Sequence, residues 1–240
     1  MNVLRVEFMK LHRSLALLLC AAAPLFVALM ALLILLDNKR TGPWSMFFAS
    51  AAALWAYFML PMTVTALTVL VAQIEHGPKA WNQMLALPVA RWRIYAAKLV
   101  VVLALVAGMS LVLYGLIHAA GALGEALKSG EQLIGGPDWG FGARLLGQMY
   151  GGALLMIAVQ LWAALRFRSF VPPLVLGIGG TFAAVAATSA KQGIFFPWLI
   201  PVNALATDPA RASLALNVGL VGGLVVFGLM LLHLSRFEAP

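Results

Sequence analysis

"LALLLCAAAPLFVALMALLILL", residues Leu15 to Leu36, runs for 22 residues without a charge. About 20 apolar residues in a helix cross the hydrocarbon core of a bilayer, so this run alone reads as a membrane span. Arg5, Lys10 and Arg13 precede it, and "CAAAP" offers small residues resembling a cleavage site. The run is nevertheless longer than the apolar core of a secretory signal, and it is expected to be retained.

Outward from this run, the chain keeps the same character. Of its 240 residues, 63% are hydrophobic and only 10% charged, with a mean hydropathy of +0.97. A soluble domain of this length needs far more charge to cover its surface. No polar stretch is long enough for a second, soluble domain, so residues 1–240 read as one all-α integral membrane domain. Breaks at charges and at Gly/Pro clusters give six spans, near residues 15–36, 46–73, 94–119, 141–165, 170–190 and 212–234.

The formal charge of +8 does not indicate nucleic acid, because the basic residues sit at the ends of apolar runs, facing lipid headgroups. With the N-terminus inside, ten basic residues face the cytoplasm and six face outside, against three acidic residues inside and five outside. That division favours both termini inside. The single cysteine, Cys20, lies in an apolar run and excludes an intrachain disulfide.

The spans carry no Asp, Glu, Lys or Arg over residues 14–36, 44–74, 99–124, 145–165, 169–190 and 212–235. An ion-coupled carrier holds charge at membrane depth, so this pattern argues against one. No H-E-x-x-H or G-x-S-x-G, and no pair of acids at helical spacing within a span, points to an enzyme; Cys20 offers no metal-ligand spacing, and His76 beside Glu75 lacks a second ligand at i+4. No G-x-x-x-x-G-K-[ST] loop is present to bind ATP. His118 and His233 lie near span ends and read as interfacial.

Milder polar groups remain. Pro61 removes the donor that would serve the Tyr57 carbonyl, and Thr63, Thr65 and Thr68 follow. These threonines either satisfy a kinked backbone or form a mildly polar wall of a pathway, and Gln148 and Gln160 carry the same two readings. Gly147-x-x-x-Gly151 and Gly219-x-x-x-Gly223 suit close helix contacts.

One insert breaks the apolar pattern: "EHGPKAWNQMLALPVARWRIYAAKL", Glu75 to Leu99. Pro78 suits the first position of a helix, and Pro88 stops it near Leu87. Trp81, Met84, Leu85 and Pro88 then share one apolar face. Arg91, Tyr95 and Lys98 follow at helical spacing and are expected to anchor the next span at the interface. On its residues alone, such a helix lies in headgroups as readily as it docks on a partner.

Taken in order, "VEFMKLHRSLALLLCAAAP", the insert, "FRSFVPPLVLGIGG" and "FFPWLIP" resemble ABC-2 type transporter permeases, and among them the lantibiotic-immunity and bacitracin-resistance group. The resemblance implies a multi-pass protein of the bacterial inner membrane. It would pair with a second copy or a sister permease and with two ABC ATPase subunits, which hold the ATP and Mg. Helix 78–88 would be the coupling helix, with Glu75 and Trp81 at positions of the family's pattern. The N-terminal segment would be an interfacial elbow helix, and its Leu4-Phe8-Leu11-Leu15 stripe with Glu7 and Lys10 at i, i+3 is compatible. "FFPWLIPVNAL" would cap the pathway outside, although its prolines and Trp198 equally fit an ordinary interfacial loop.

The expected function is thus the permease subunit of an ATP-driven exporter, itself not an enzyme, that expels amphipathic antimicrobial peptides or similar toxic compounds. Rival readings are an ABC-2 exporter of a lipid, haem or polysaccharide, a non-transporting membrane anchor or assembly factor, and a membrane enzyme.

Overall fold

The computed structural model describes residues 3–11, 14–37, 42–76, 89–128 and 133–236. Its elements in chain order are α1 (Val3–Lys10), α2 (Leu15–Asp37), α3 (Trp44–Leu54), a π-helical turn (Trp55–Met59), α4 (Leu60–His76), α5 (Arg91–Leu127), α6 (Trp139–Arg166), α7 (Val171–Ala186), 3-10 turns at Lys191–Phe195 and Pro201–Leu205, and α8 (Pro209–Arg236). Among the described residues there are no strands beyond one isolated bridge between Pro43 and Ile134. An all-helical answer follows from the composition, since lipid offers a backbone amide no partner and a helix satisfies its own.

Five of these segments are long and apolar enough to cross a membrane: Leu15–Asp37, Trp44–His76, Arg91–Leu127, Trp139–Arg166 and Pro209–Arg236. The expected fifth span, residues 170–190, is shorter. Its helix α7 has 16 residues, about 24 Å at the helical rise. Pro172 and Pro173 fit its first turn, where no donor is needed. It ends where Thr188 turns its hydroxyl back onto the Ala184 and Val185 carbonyls. At 37 residues, α5 runs about 56 Å and exceeds a hydrocarbon core of about 30 Å.

Pro61 shows how a missing donor is absorbed. Immediately before it the helix widens into the π turn, and the Leu60 amide reaches back five residues to the Trp55 carbonyl. Such single turns are a recognised way for a helix to take up a local defect. Trp55, at its start, is fully buried.

The core runs through the bundle as one large cluster that includes Val27, Trp55, Leu67, Leu113, Met149 and Met156, beside a small second one of Ile194, Ile200 and Ala215. Its tightest seam joins α6 to α8. A Cβ on Gly219 would stand 2.6 Å from the Gly152 Cα, and one on Gly223 would stand 2.7 Å from the Leu154 Cβ. The α6 side of this seam is Gly151 and Gly152, whereas a Cβ on Gly147 would meet nothing within 4 Å. Glycine is required here because the two backbones touch. Outward-facing Leu, Val and Phe on α2, α7 and α8 cover the bundle, as in a protein whose solvent is lipid.

Candidate functional site

At the end of the bundle where α4 stops and α5 starts, four ionisable side chains from three helices close on one another. Glu7 and Lys10 stand about one turn apart on α1, Glu75 lies in the last turn of α4, and Lys98 lies in the second turn of α5. Lys98 Nζ donates to Glu75 Oε2 at 2.6 Å and to Glu7 Oε2 at 2.9 Å. Lys10 Nζ donates to Glu7 Oε1 at 2.6 Å and to Glu75 Oε1 at 2.9 Å. Each carboxylate therefore offers one oxygen to each lysine, and the charges alternate around a ring.

The Lys98 side chain is 0% exposed, Glu75 1% and Glu7 4%, while Lys10 keeps 26% at the rim. An isolated charge so deep would cost several kcal/mol even after relaxation. Two ammonium groups facing two carboxylates cancel formally, and their attraction strengthens as the dielectric falls. Burial alone would lower the Lys10 pKa. Its hydrogen bonds to Glu7 and Glu75 outweigh that and hold it above the ordinary 10.5, so it stays charged.

This arrangement corrects two expectations. Lys98 is not an interfacial anchor: it and Tyr95 are buried, and of that trio only Arg91 is exposed. The inner face of α1 is also not the full Leu4-Phe8-Leu11-Leu15 stripe. Leu11 is buried and Leu4 partly so, but Phe8 is 41% and Leu15 69% exposed, and Glu7 takes the central place. The carboxylate decides the rotation of α1, because Phe8 can face lipid and an unpaired Glu7 cannot. The spacing of Lys98 does not by itself mark it as a site residue. The available signal was its partners: Glu7 and Glu75 are two of the three acidic residues assigned to the cytoplasmic side.

The ring brackets the insert that the sequence singled out. Glu75 precedes residues 77–90 and Lys98 follows them. Pro78, Trp81, Met84, Leu85 and Pro88 lie outside the described residues.

Deeper in the bundle, the polar residues bond to backbone. Thr63 donates to the Met59 carbonyl, Thr65 to Pro61 at 2.8 Å and Thr68 to Val64 at 2.9 Å. Gln160 Nε2 donates to the Pro173 carbonyl at 2.7 Å, tying α6 to α7. Thr65 packs against Gly177 on the same helix, so Thr65 and Gln160 both meet α7. Gln148 is half-buried elsewhere on α6.

At the opposite end, His118 is buried among aromatics. It stacks on Trp139 at 3.9 Å and 6°, with Phe48 and Tyr114 edge-on or tilted around it. Trp44 Nε1 donates to Glu125 Oε1 at 3.1 Å, which also accepts from the Leu133 amide. His233 accepts from Trp162 Nε1 at 3.1 Å, joining α8 to α6. Trp198 of "FFPWLIP" is buried against Gly180 of α7.

No curated protein and no solved structure matches this chain. A family model described as ABC-2 family transporter protein matches residues 3–184, taking in α1, the ring, the insert and nearly all of α7. The family's members are the membrane subunits of ABC transporters and work with an ABC ATPase. With three quarters of its length under that match, the chain belongs to the ABC-2 family of transporter proteins.

Proposed function

We propose that this permease exports amphipathic peptides or similar membrane-active toxic compounds, powered by two ABC ATPase subunits that hold the ATP and Mg. The observation that carries this reading is the distribution of buried charge. Among the described residues, the buried Asp, Glu, Lys and Arg are Glu7, Glu75 and Lys98, all in the ring at one end. Beyond it, the buried polar groups among the described residues are uncharged hydroxyls and amides largely bonded to backbone, and the His118 imidazole packed among aromatics. Such walls suit a molecule already partitioned into the bilayer and give an ion no counter-charge. A lipid would suit them too, which keeps an ABC-2 exporter of lipid as the second reading.

In this scheme both termini face the cytoplasm, and residues 78–88 form the coupling helix that seats on an ATPase. A second permease copy or a sister subunit completes the pathway. Glu75 then serves the coupling segment from within the ring. Trp81, the largest apolar group on the helix's predicted face, fills a pocket of the ATPase. Aromatic anchors of this kind cost about 2 kcal/mol or more when truncated, roughly thirtyfold in affinity.

Two measurements test this. Trp81→Ala should insert normally yet lose co-purifying ATPase, together with the resistance to amphipathic peptides that the intact transporter confers on cells. A variant with its full ATPase complement and full resistance refutes the docking, while resistance absent even with the wild type refutes the cargo. For orientation, the exposed Ile134 replaced by cysteine in a Cys20→Ser background should react with an impermeant thiol reagent in intact cells. Labelling only after lysis reverses the topology.

A further inference from the structure

Apolar side chains of similar volume would hold three helices together at least as well as a buried ion-pair ring, which stability alone therefore does not explain. What the ring adds is geometry. Glu7 binds Lys98 of α5, Lys10 binds Glu75 of α4, and Glu75 binds Lys98, so each pair of the three helices is bridged by one ion pair. These contacts join residues 91, 65 and 23 positions apart in the chain. The last spans the two ends of the 77–90 segment. Bonds of 2.6–2.9 Å are lost when stretched by about 1 Å. Each carboxylate is also shared between lysines on two different helices, so no one helix shifts without straining the others.

We infer that Glu7, Lys10, Glu75 and Lys98 are positioning residues. They clamp both ends of the 77–90 segment to α1, so that a push on the segment moves α1, α4 and α5 as one body. That an ATPase delivers the push rests on the function proposed above; the clamp itself does not.

The test measures the distance between spin labels on the full-length permease in lipid nanodiscs. One label replaces Met9 on α1 and the other Leu111 on α5, both exposed, in a Cys20→Ser background. With the ring intact, the distribution should be single and narrow. Glu75→Leu/Lys98→Met and Glu7→Leu/Lys10→Met each remove one acid and one base, leaving a neutral pair behind. Both should retain their helical content, yet broaden the distribution or add a second distance. Lys98→Arg should keep it narrow. Narrow distributions in both double variants would overturn the clamp.

Added to the complex with its ATPase, a non-hydrolysable ATP analogue should leave the Met9–Leu111 distance unchanged in the intact ring and shift it in the double variants. An equal shift with the ring intact would overturn the one-body movement. A wild-type permease that retains no ATPase would count against the docking proposal alone, because the nucleotide-free distances decide the clamp.

Discussion

The ion-pair ring and the α6–α8 seam do the same task with opposite chemistry. Both bring helices together where water offers no help. The seam does so by omission: Gly219, Gly223, Gly151 and Gly152 lack the side chains that would hold the backbones apart, and dispersion between the surfaces supplies the attraction. The ring does so by balance, two acids against two bases with almost no exposure for three of the four. A seam built by omission tolerates nothing added, whatever else is changed nearby. A ring built by balance tolerates no single loss, but it can lose a matched pair.

The comparison can be broken in order of effect. Lys98→Met leaves two buried carboxylates sharing one ammonium, and removing one partner of a buried pair costs about 3–5 kcal/mol. The thermal unfolding midpoint in detergent should fall steeply, and Glu75→Leu added to it should restore most of the loss. A double variant no better than the single would mean that the ring holds by packing and not by balance. Gly219→Ala drives a methyl onto the Gly152 backbone, which cannot swing away as a side chain could. Overpacking of this kind costs about 1–3 kcal/mol, and the midpoint should fall accordingly. Gly151→Ala should cost less, since it meets the mobile end of Leu216. Equal midpoints for these two would show that the seam yields as a whole. Smallest is Gly147→Ala, where the added methyl meets nothing and the change should stay within about 0.5 kcal/mol. A larger loss would show that a second subunit seats on that face.

Much of this was legible because lipid is a strict solvent. Runs such as Leu15–Leu36 declare themselves by length and lack of charge, and five of the six expected spans are helices long enough to cross. Gly219-x-x-x-Gly223 announced a close contact, and Glu7 and Lys10 at i, i+3 announced their pair, because both signals lie within one helix. Its partners were harder to read. The spacing Gly147-x-x-x-Gly151 named only one of the two glycines on the α6 side of the seam, because Gly152, which meets Gly219, has no glycine four residues away to mark it. Pro61 foretold a lost hydrogen bond, but not that the helix would widen into a π turn just before it.

By itself, then, the sequence determined the solvent of this protein, its helical class and the place of its one polar insert, because each follows from local composition acting over about 20 residues. Only the tertiary structure decided where Lys98 points. Its spacing from Arg91 and Tyr95 suits an interfacial anchor equally well. What draws it inward is the meeting of Glu7 and Glu75, carboxylates 91 and 23 residues away. Long-range electrostatic balance leaves no periodic trace along a chain, so it appears only when the helices that carry the charges are packed.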